Sequence, residues 1–192
     1  MERPPLQDWL TRAVACRSAR RLELAGHGRA AILVPLLDTH EGPSLLFTVR
    51  AAHLRRHAGQ LAFPGGRVDP GETELEAALR EAREEVGLDV RAEAVCGRLD
   101  DHPSPFGLIA TPHVARVAWP APLVLQASEV VETFVVPLAV LQGVTPTVER
   151  RETPWGPRLL HGYEVAGRRI WGLTGNVVKD LLDRLDATAV AA

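Results

Sequence analysis

One helix is fixed by its two ends. Thr73 followed three residues later by Glu76 is a capping box, in which side chain and backbone at the helix start satisfy each other's hydrogen bonds, and Gly87 supplies the usual stop. Between them residues 74–86 read ELEAALREAREEV. At about 100° per residue Leu75, Ala78, Leu79, Ala82 and Val86 share one arc, which predicts a buried stripe. Glu81, Glu84 and Glu85 occupy a neighbouring arc, with Glu85 nearest the stripe, so three carboxylates converge. Like charges at this spacing cost roughly 0.2 to 0.5 kcal/mol each on an open helix and are screened by salt. Taken alone, the helix reads as a solvated acidic face.

The sequence before it changes the question. From 51 to 72 the chain loses periodicity and gains Gly59, Pro64, Gly65, Gly66, Pro70 and Gly71. That pattern predicts a long loop leading into the helix, and such loops commonly carry function. Upstream, residues 30–37 and 44–50 read as strands of a hairpin, after a first amphipathic helix over 6–24 whose role is packing. Downstream, 90–99, 111–119 and 132–138 read as strands, 100–107 as a Pro-rich loop, 143–155 as irregular, and 162–172 as a hairpin or strand. Residues 173–185 carry Val177, Val178, Leu181, Leu182 and Leu185 at helical spacing. Helices interleaved with strands predict an α/β fold, an α/β/α sandwich with a mixed sheet between helices. With 192 residues, 46% of them hydrophobic, a single domain over 1–192 is expected.

Composition excludes some partners. A formal charge of -2 gives no chain-wide attraction to nucleic acid or to an anionic membrane. Lys179 is the one lysine among 22 basic residues, so an arginine cluster here partly reflects a general preference for arginine. Cys16 and Cys96 have no metal-ligand spacing and fit a reducing compartment. The start MERPPLQDWL lacks a signal-peptide core, and no run of about 18 apolar residues occurs. A cytoplasmic location and no membrane partner are expected; the oligomeric state is not legible.

A hard divalent cation prefers oxygen ligands and is bound through a few carboxylates together with substrate phosphates. Convergent glutamates beside a glycine-rich loop suit such an ion, and Gly66 has no Cβ to obstruct its approach. The whole segment GRVDPGETELEAALREAREEVGL (66–88) resembles the Nudix signature: Gly, five residues, Glu, seven residues, Arg-Glu, an aliphatic residue, any residue, Glu-Glu, any residue, Gly and an aliphatic residue. Every charged and glycine position matches; Ala82 is smaller than the usual aliphatic residue.

The resemblance implies an enzyme, a diphosphatase that cleaves a nucleoside diphosphate linked to another group by attack of water on phosphorus. It implies Mg²⁺ or Mn²⁺ as cofactor, with Glu81, Glu84, Glu85 and the Gly66 carbonyl as ligands, and Arg80 paired with Glu72 to brace the loop against the helix.

Residues 45–66, LLFTVRAAHLRRHAGQLAFPGG, are similar to a further motif of the coenzyme A diphosphatase branch, through Arg50, Ala51, Arg55, Gly59, Phe63, Pro64, Gly65 and Gly66. That implies hydrolysis of coenzyme A or its derivatives to 4′-phosphopantetheine and adenosine 3′,5′-bisphosphate. Arg50, Arg55, Arg56 and His57 would then meet phosphate, and Phe63 either stacks on adenine or packs the loop. His53 and His57 are loop residues and not metal ligands, since Mg²⁺ prefers oxygen. A general base is sought at Glu129 or Glu132, or at Glu84 beside the metal. Two alternatives stay open: a Nudix hydrolase of ADP-ribose or NADH-type dinucleotides, which Pro103 and Pro105 favour slightly, and a non-catalytic nucleotide-sensing Nudix module. In each reading the partner is a small nucleotide.

Overall fold

The computed structural model describes residues 6–53, 59–153 and 156–190. In chain order these form α1 (Leu6–Ala15), β1 (Gly28–Thr39), β2 (Gly42–Arg50), β3 (Leu61–Ala62), β4 (Gly65–Arg67) and α2 (Glu74–Val86). A 3-10 turn at Ala92–Ala94 leads to β5 (Val95–Arg98), β6 (His102–Pro103), β7 (Leu108–Ala118), β8 (Val130–Pro137) and α3 (Leu138–Gly143). The chain closes with β9 (Thr147–Thr153), β10 (Gly156–Val165), β11 (Arg168–Trp171) and α4 (Gly172–Val190).

The first eight strands make one mixed sheet. Its spine runs β3-β2-β1-β7-β5, with β1 and β7 parallel and the other pairings antiparallel. β1 is apolar on both faces because both are covered. Ile32, Val34 and Leu36 pack with α1, α4 and the small β9–β11 sheet, while Ala31, Leu33 and Leu37 pack under α2. The α/β/α expectation is met, and the mixed sheet lies between helices.

Several boundaries differ from the sequence expectation. The first helix stops at Ala15 instead of running to 24, because the next backbone groups are used elsewhere. Arg20 N–H donates to Asp100 Oδ1 (3.0 Å), Leu22 N–H to Asp101 Oδ2 (2.9 Å), and Arg20 C=O accepts from Asp101 N–H (2.9 Å). Residues 143–155 are not irregular throughout: TVERRET forms β9, the edge of the small sheet, exposed along almost its whole length. A strand wetted on both faces carries no apolar alternation to detect. The loop after Arg50 contains β3 and β4, and only 95–98 of the predicted 90–99 strand is strand.

Two buried polar knots hold the α1 and α4 side. Arg184, with no exposed side-chain surface, donates to Asp180 Oδ1 (3.1 Å), Asp100 Oδ1 (2.9 Å) and the carbonyls of Val14 (2.6 Å) and Arg17 (2.8 Å). Asp101, equally buried, accepts from Thr111, Arg29 and Arg98 as well as Leu22. A buried charge of this kind is tolerated only when such partners replace water.

His113 on β7 is buried, its Nε2 has no hydrogen-bond partner among the described residues, and burial, helped by the nearby Arg98 charge, pushes its pKa down to about 4. The unfolded chain takes up this proton below its ordinary value of about 6.5. The neutral ring therefore contributes full stability above about 6.5, and that stability is lost as pH falls towards 4. Glu85, pushed up to about 7, works in the opposite direction over part of this window, so the variant difference is diagnostic. Between pH 7.5 and 5, urea unfolding of His113→Gln should show up to about 2 kcal/mol less acid destabilisation than the parent chain. Identical pH dependence in the two proteins would show that His113 is not held neutral.

Candidate active site

The loop before α2 is pinned to β1. Leu33 N–H donates to Pro64 C=O (2.9 Å), and β4 pairs with β1 through Ala30↔Arg67, Ala31↔Gly66 and Ile32↔Gly65. Gly65 has φ +154, and a Cβ there would lie 2.3 Å from Ala31 O. Only glycine lets the loop lie this close to the strand. A Cβ on Gly66 would fall 2.3 Å from Glu81 Oε1, so the Glu81 carboxylate lies directly over the Gly66 backbone.

α2 begins and ends as its caps require. Thr73 Oγ1 accepts from Glu76 N–H (3.2 Å), Glu76 Oε2 accepts from Thr73 N–H (2.8 Å), and Gly87 is left-handed at φ 71. The buried face is Ala77, Ala78, Ala82, Glu85 and Val86, with Leu75 and Leu79 only half-buried. The stripe is rotated from the predicted one towards Glu85. Its alanines leave room for α2 to lie close to the sheet, which also accounts for the small residue at Ala82.

The last turn of α2 is met by a second segment. Val124 N–H donates to Val86 C=O and Gln126 N–H to Glu85 C=O, both at 2.9 Å, satisfying helix-end carbonyls. Ala51 N–H donates to Glu129 C=O (2.8 Å), joining the end of β2 to the turn before β8. The sequence expectation missed the anchoring of residues 124–126, because backbone donors carry no residue-type signal.

The three signature glutamates differ sharply in environment. Glu84 is exposed, Glu81 half-buried and Glu85 only 4% exposed. Burial raises the Glu81 carboxyl, against the pull of Arg80. Burial likewise pushes Glu85 up to about 7, opposed by the Gly65 N–H (3.1 Å to Oε2) and by Arg50, whose Nη1 is 3.9 Å from Oε1. The charges of Glu81 and Glu129 add to that rise.

Arg80 stands among these acids. Its Nε and Nη2 fork onto Glu72 (2.9 and 3.0 Å), its Nη1 bonds Glu81 Oε1 (2.8 Å) and Glu84 Oε2 (3.1 Å), and Nη2 also reaches Arg67 C=O (3.1 Å). Glu72 accepts from Asp69 N–H (3.0 Å) as well, and its carboxyl is held below the ordinary range, chiefly by Arg80. The expected Arg80–Glu72 brace is therefore present.

Other candidates fall out differently. Phe63 does not line the site: it is 4% exposed, and its ring packs on Phe47 with centroids 4.7 Å apart. Apolar burial between loop and core has taken the ring that was a candidate for adenine. Glu132 is held away from the acids by a two-oxygen ion pair with Arg168 (2.9 Å to each), whereas Glu129 adds its charge to Glu81 and Glu85. Arg55, Arg56 and His57 lie outside the described residues.

The donor set fits a hard cation in chemistry. It offers carboxylates of graded burial, one of them poorly compensated, over a glycine backbone that any Cβ would block. Among the described residues no three such side chains stand already gathered round one point, and Arg80 lies between Glu81 and Glu84. Binding an ion there requires those two carboxylates to turn from the guanidinium.

The comparisons with known proteins agree with this geometry. The sequence model of the NUDIX domain matches residues 26–159. A relative from Escherichia coli O7:K1 (strain IAI39), named uncharacterized Nudix hydrolase NudL, is 37% identical over 180 residues, 92% of each chain. Its counterpart from Shigella boydii serotype 18 is 36% identical with the same coverage. Among solved structures, a MutT/nudix family protein from Enterococcus faecalis superposes with TM-score 0.58 over 95% of this chain and 70% of that one, at 17% identity. The Nudix hydrolase RenU of M. smegmatis gives TM-score 0.50 and 28% identity over 62% of this chain and 74% of its own. With the signature glutamates set on α2 over Gly66, and relatives matching along nearly the whole length, the chain belongs to the Nudix family and is a hydrolase acting on pyrophosphate bonds of nucleoside diphosphate derivatives.

Proposed function

We propose that this Nudix hydrolase cleaves the diphosphate of coenzyme A or its derivatives in the cytoplasm, with Mg²⁺ or Mn²⁺, giving 4′-phosphopantetheine and adenosine 3′,5′-bisphosphate. The observation that carries the reading is Arg50. It belongs to the upstream motif over 45–66, and it ends β2 with its guanidinium 3.9 Å from the most buried signature carboxylate. A planar cation beside the acids suits a substrate with several phosphates, since guanidinium binds phosphate through paired donors. The free thiols of Cys16 and Cys96 fit a reducing compartment, and no helix among the described residues is long and apolar enough to cross a membrane.

Glu81, Glu84, Glu85 and the Gly66 carbonyl would hold the cation. When bound, it neutralises charge on phosphoryl oxygens and lowers the pKa of attached water. The Arg80–Glu72 fork would hold the loop against α2 while Glu81 exchanges its single bond to Arg80 for the cation. Burial of Glu85 keeps water from solvating its charge. Glu129 would accept the proton of the attacking water; supporting this, its charge acts on Glu81 and Glu85, and no ion pair consumes it among the described residues.

Three measurements test this. Incubation with Mn²⁺ and coenzyme A, dephospho-coenzyme A, ADP-ribose or NADH, with products identified by mass, should show coenzyme A turned over with the highest kcat/KM. A higher value for ADP-ribose or NADH would overturn the substrate assignment.

Glu85→Gln keeps the shape and can still accept from Gly65 N–H, while it removes the buried charge. Activity should fall about 100-fold or more, equivalent to about 2.7 kcal/mol. The variant should unfold at no lower temperature than the parent without added cation, yet lose the parent's upward shift in Tm with Mn²⁺. An unchanged Mn²⁺ response would remove Glu85 from the ligand set.

Glu129→Gln should lower kcat by about 100-fold or more, as loss of a general base does. Glu132→Gln, which breaks only a surface ion pair, should stay within about threefold of the parent. The reverse ranking would move the base to Glu132.

A further inference from the structure

On the other side of the sheet from α2, a cleft of about 260 Å³ lies between the Arg17–Arg20 segment, β6, the start of β10 and α4. Its acids are already engaged. Asp100 and Asp180 serve Arg17 and Arg184, Asp101 serves Arg29 and Arg98, and Asp183 holds Lys179 at 2.5 Å. Two guanidiniums facing the cleft are less well served. Arg158 has no carboxylate partner among the described residues; it donates one bond to Pro103 C=O and is half-buried. Among the described residues the Arg20 guanidinium pairs only with Asp100, at 3.9 Å, an ion pair too long to be a hydrogen bond.

These two cations repel each other. Burial, with the Arg20 charge adding to it, pulls the Arg158 pKa down. His102 lies on the same wall with its Nε2 buried and without a hydrogen-bond partner among the described residues. Burial holds that ring neutral, with a pKa near 4. Asp180 and Asp100 also act on this ring, but a buried polar nitrogen without a partner, beside Arg158, which has no carboxylate partner among the described residues, and Arg20, whose carboxylate partner is distant, is costly unless something fills the gap.

We infer that this cleft is a binding site for a phosphate-type oxyanion, bridged by the guanidiniums of Arg20 and Arg158 with His102 Nε2 as a third contact. An oxyanion cancels the repulsion, accepts from both forks and gives the imidazole nitrogen a hydrogen-bonding neighbour. Each carboxylate lining the cleft has its own cationic partner, which offsets its repulsion of an anion. The site is separate from the glutamates of α2 and stands whether or not coenzyme A is the substrate. Its ligand is either free phosphate or the monoester group of a larger molecule.

The full-length, isotopically labelled protein should be titrated with inorganic phosphate and, separately, phenyl phosphate at constant ionic strength, while backbone amides are followed by NMR. Saturable shifts are expected at His102 and Leu159. Arg158→Gln should weaken binding at least tenfold, and Arg20→Gln, which alters a mostly exposed side chain, should do likewise if the first variant disturbs β10. Equal affinity for the two probes would assign free phosphate, and tighter phenyl phosphate a monoester. The inference is overturned if chloride moves the same amides equally, if shifts are confined to Gly65, Gly66 and α2, or if both variants bind like the parent.

Discussion

Glu85 is a carboxylate almost wholly withdrawn from water, beside the loop that carries Gly65 and Gly66. A buried anion of this kind has to be compensated, shared or protonated, and the described residues supply one N–H at 3.1 Å and one guanidinium at 3.9 Å. Much of the surrounding sequence follows from that position. Alanines at 77, 78 and 82 let α2 lie low enough for Glu85 to pass under the loop. Gly65 lets the loop lie on β1, and the backbone of 124–126 closes the end of the helix. A Cβ at Gly65 would lie 2.3 Å from Ala31 O and lift the loop that donates to Glu85 off the strand.

Arg80 explains how the remaining acids are kept in order without being buried too. The guanidinium has five donors in one plane, and here they reach two oxygens of Glu72, one each of Glu81 and Glu84, and the Arg67 carbonyl. Only the Glu72 contact is a two-toothed fork, which makes it the firm one, while the single bonds to Glu81 and Glu84 are easier to exchange. A brace that is strong towards the loop and weak towards Glu81 and Glu84 leaves those two carboxylates able to change partners without freeing the loop.

The helix and its chemistry were legible because they are local. Capping box, glycine stop and glutamate spacing all lie between Thr73 and Gly87, and each has a fixed geometric meaning. The edge strand β9 was not, because TVERRET has no dry face and so no pattern. The end of α1 was overrun because Asp100 and Asp101, which capture the backbone of residues 20–22, lie about 80 residues away. Phe63 illustrates a different limit. A loop aromatic can serve ligand or core, and packing against Phe47 decided the matter, which residue type cannot do. Glu129 and Glu132 differ by three positions, yet the Arg168 ion pair that separates their roles comes from another sheet.

The ion pairs also explain why α2 can carry uncompensated charge at one end. In its first turn Glu74 takes Arg21 at 2.7 Å and Arg29 at 3.0 Å, and Arg29 in turn reaches the buried Asp101. Glu76 is spent on the cap. The acids nearest the positive end of the helix dipole are thus doubly satisfied, and the helix is tied through Asp101 to the neighbouring turn at Asp100, which binds α4 through Arg184. Towards the negative end, where the dipole disfavours anions, Glu84 and Glu85 have far weaker support. Anchoring is concentrated in the first turn, and the electrostatic deficit is left in the last turns, so that a change of partner at Glu84 or Glu85 does not unseat the helix.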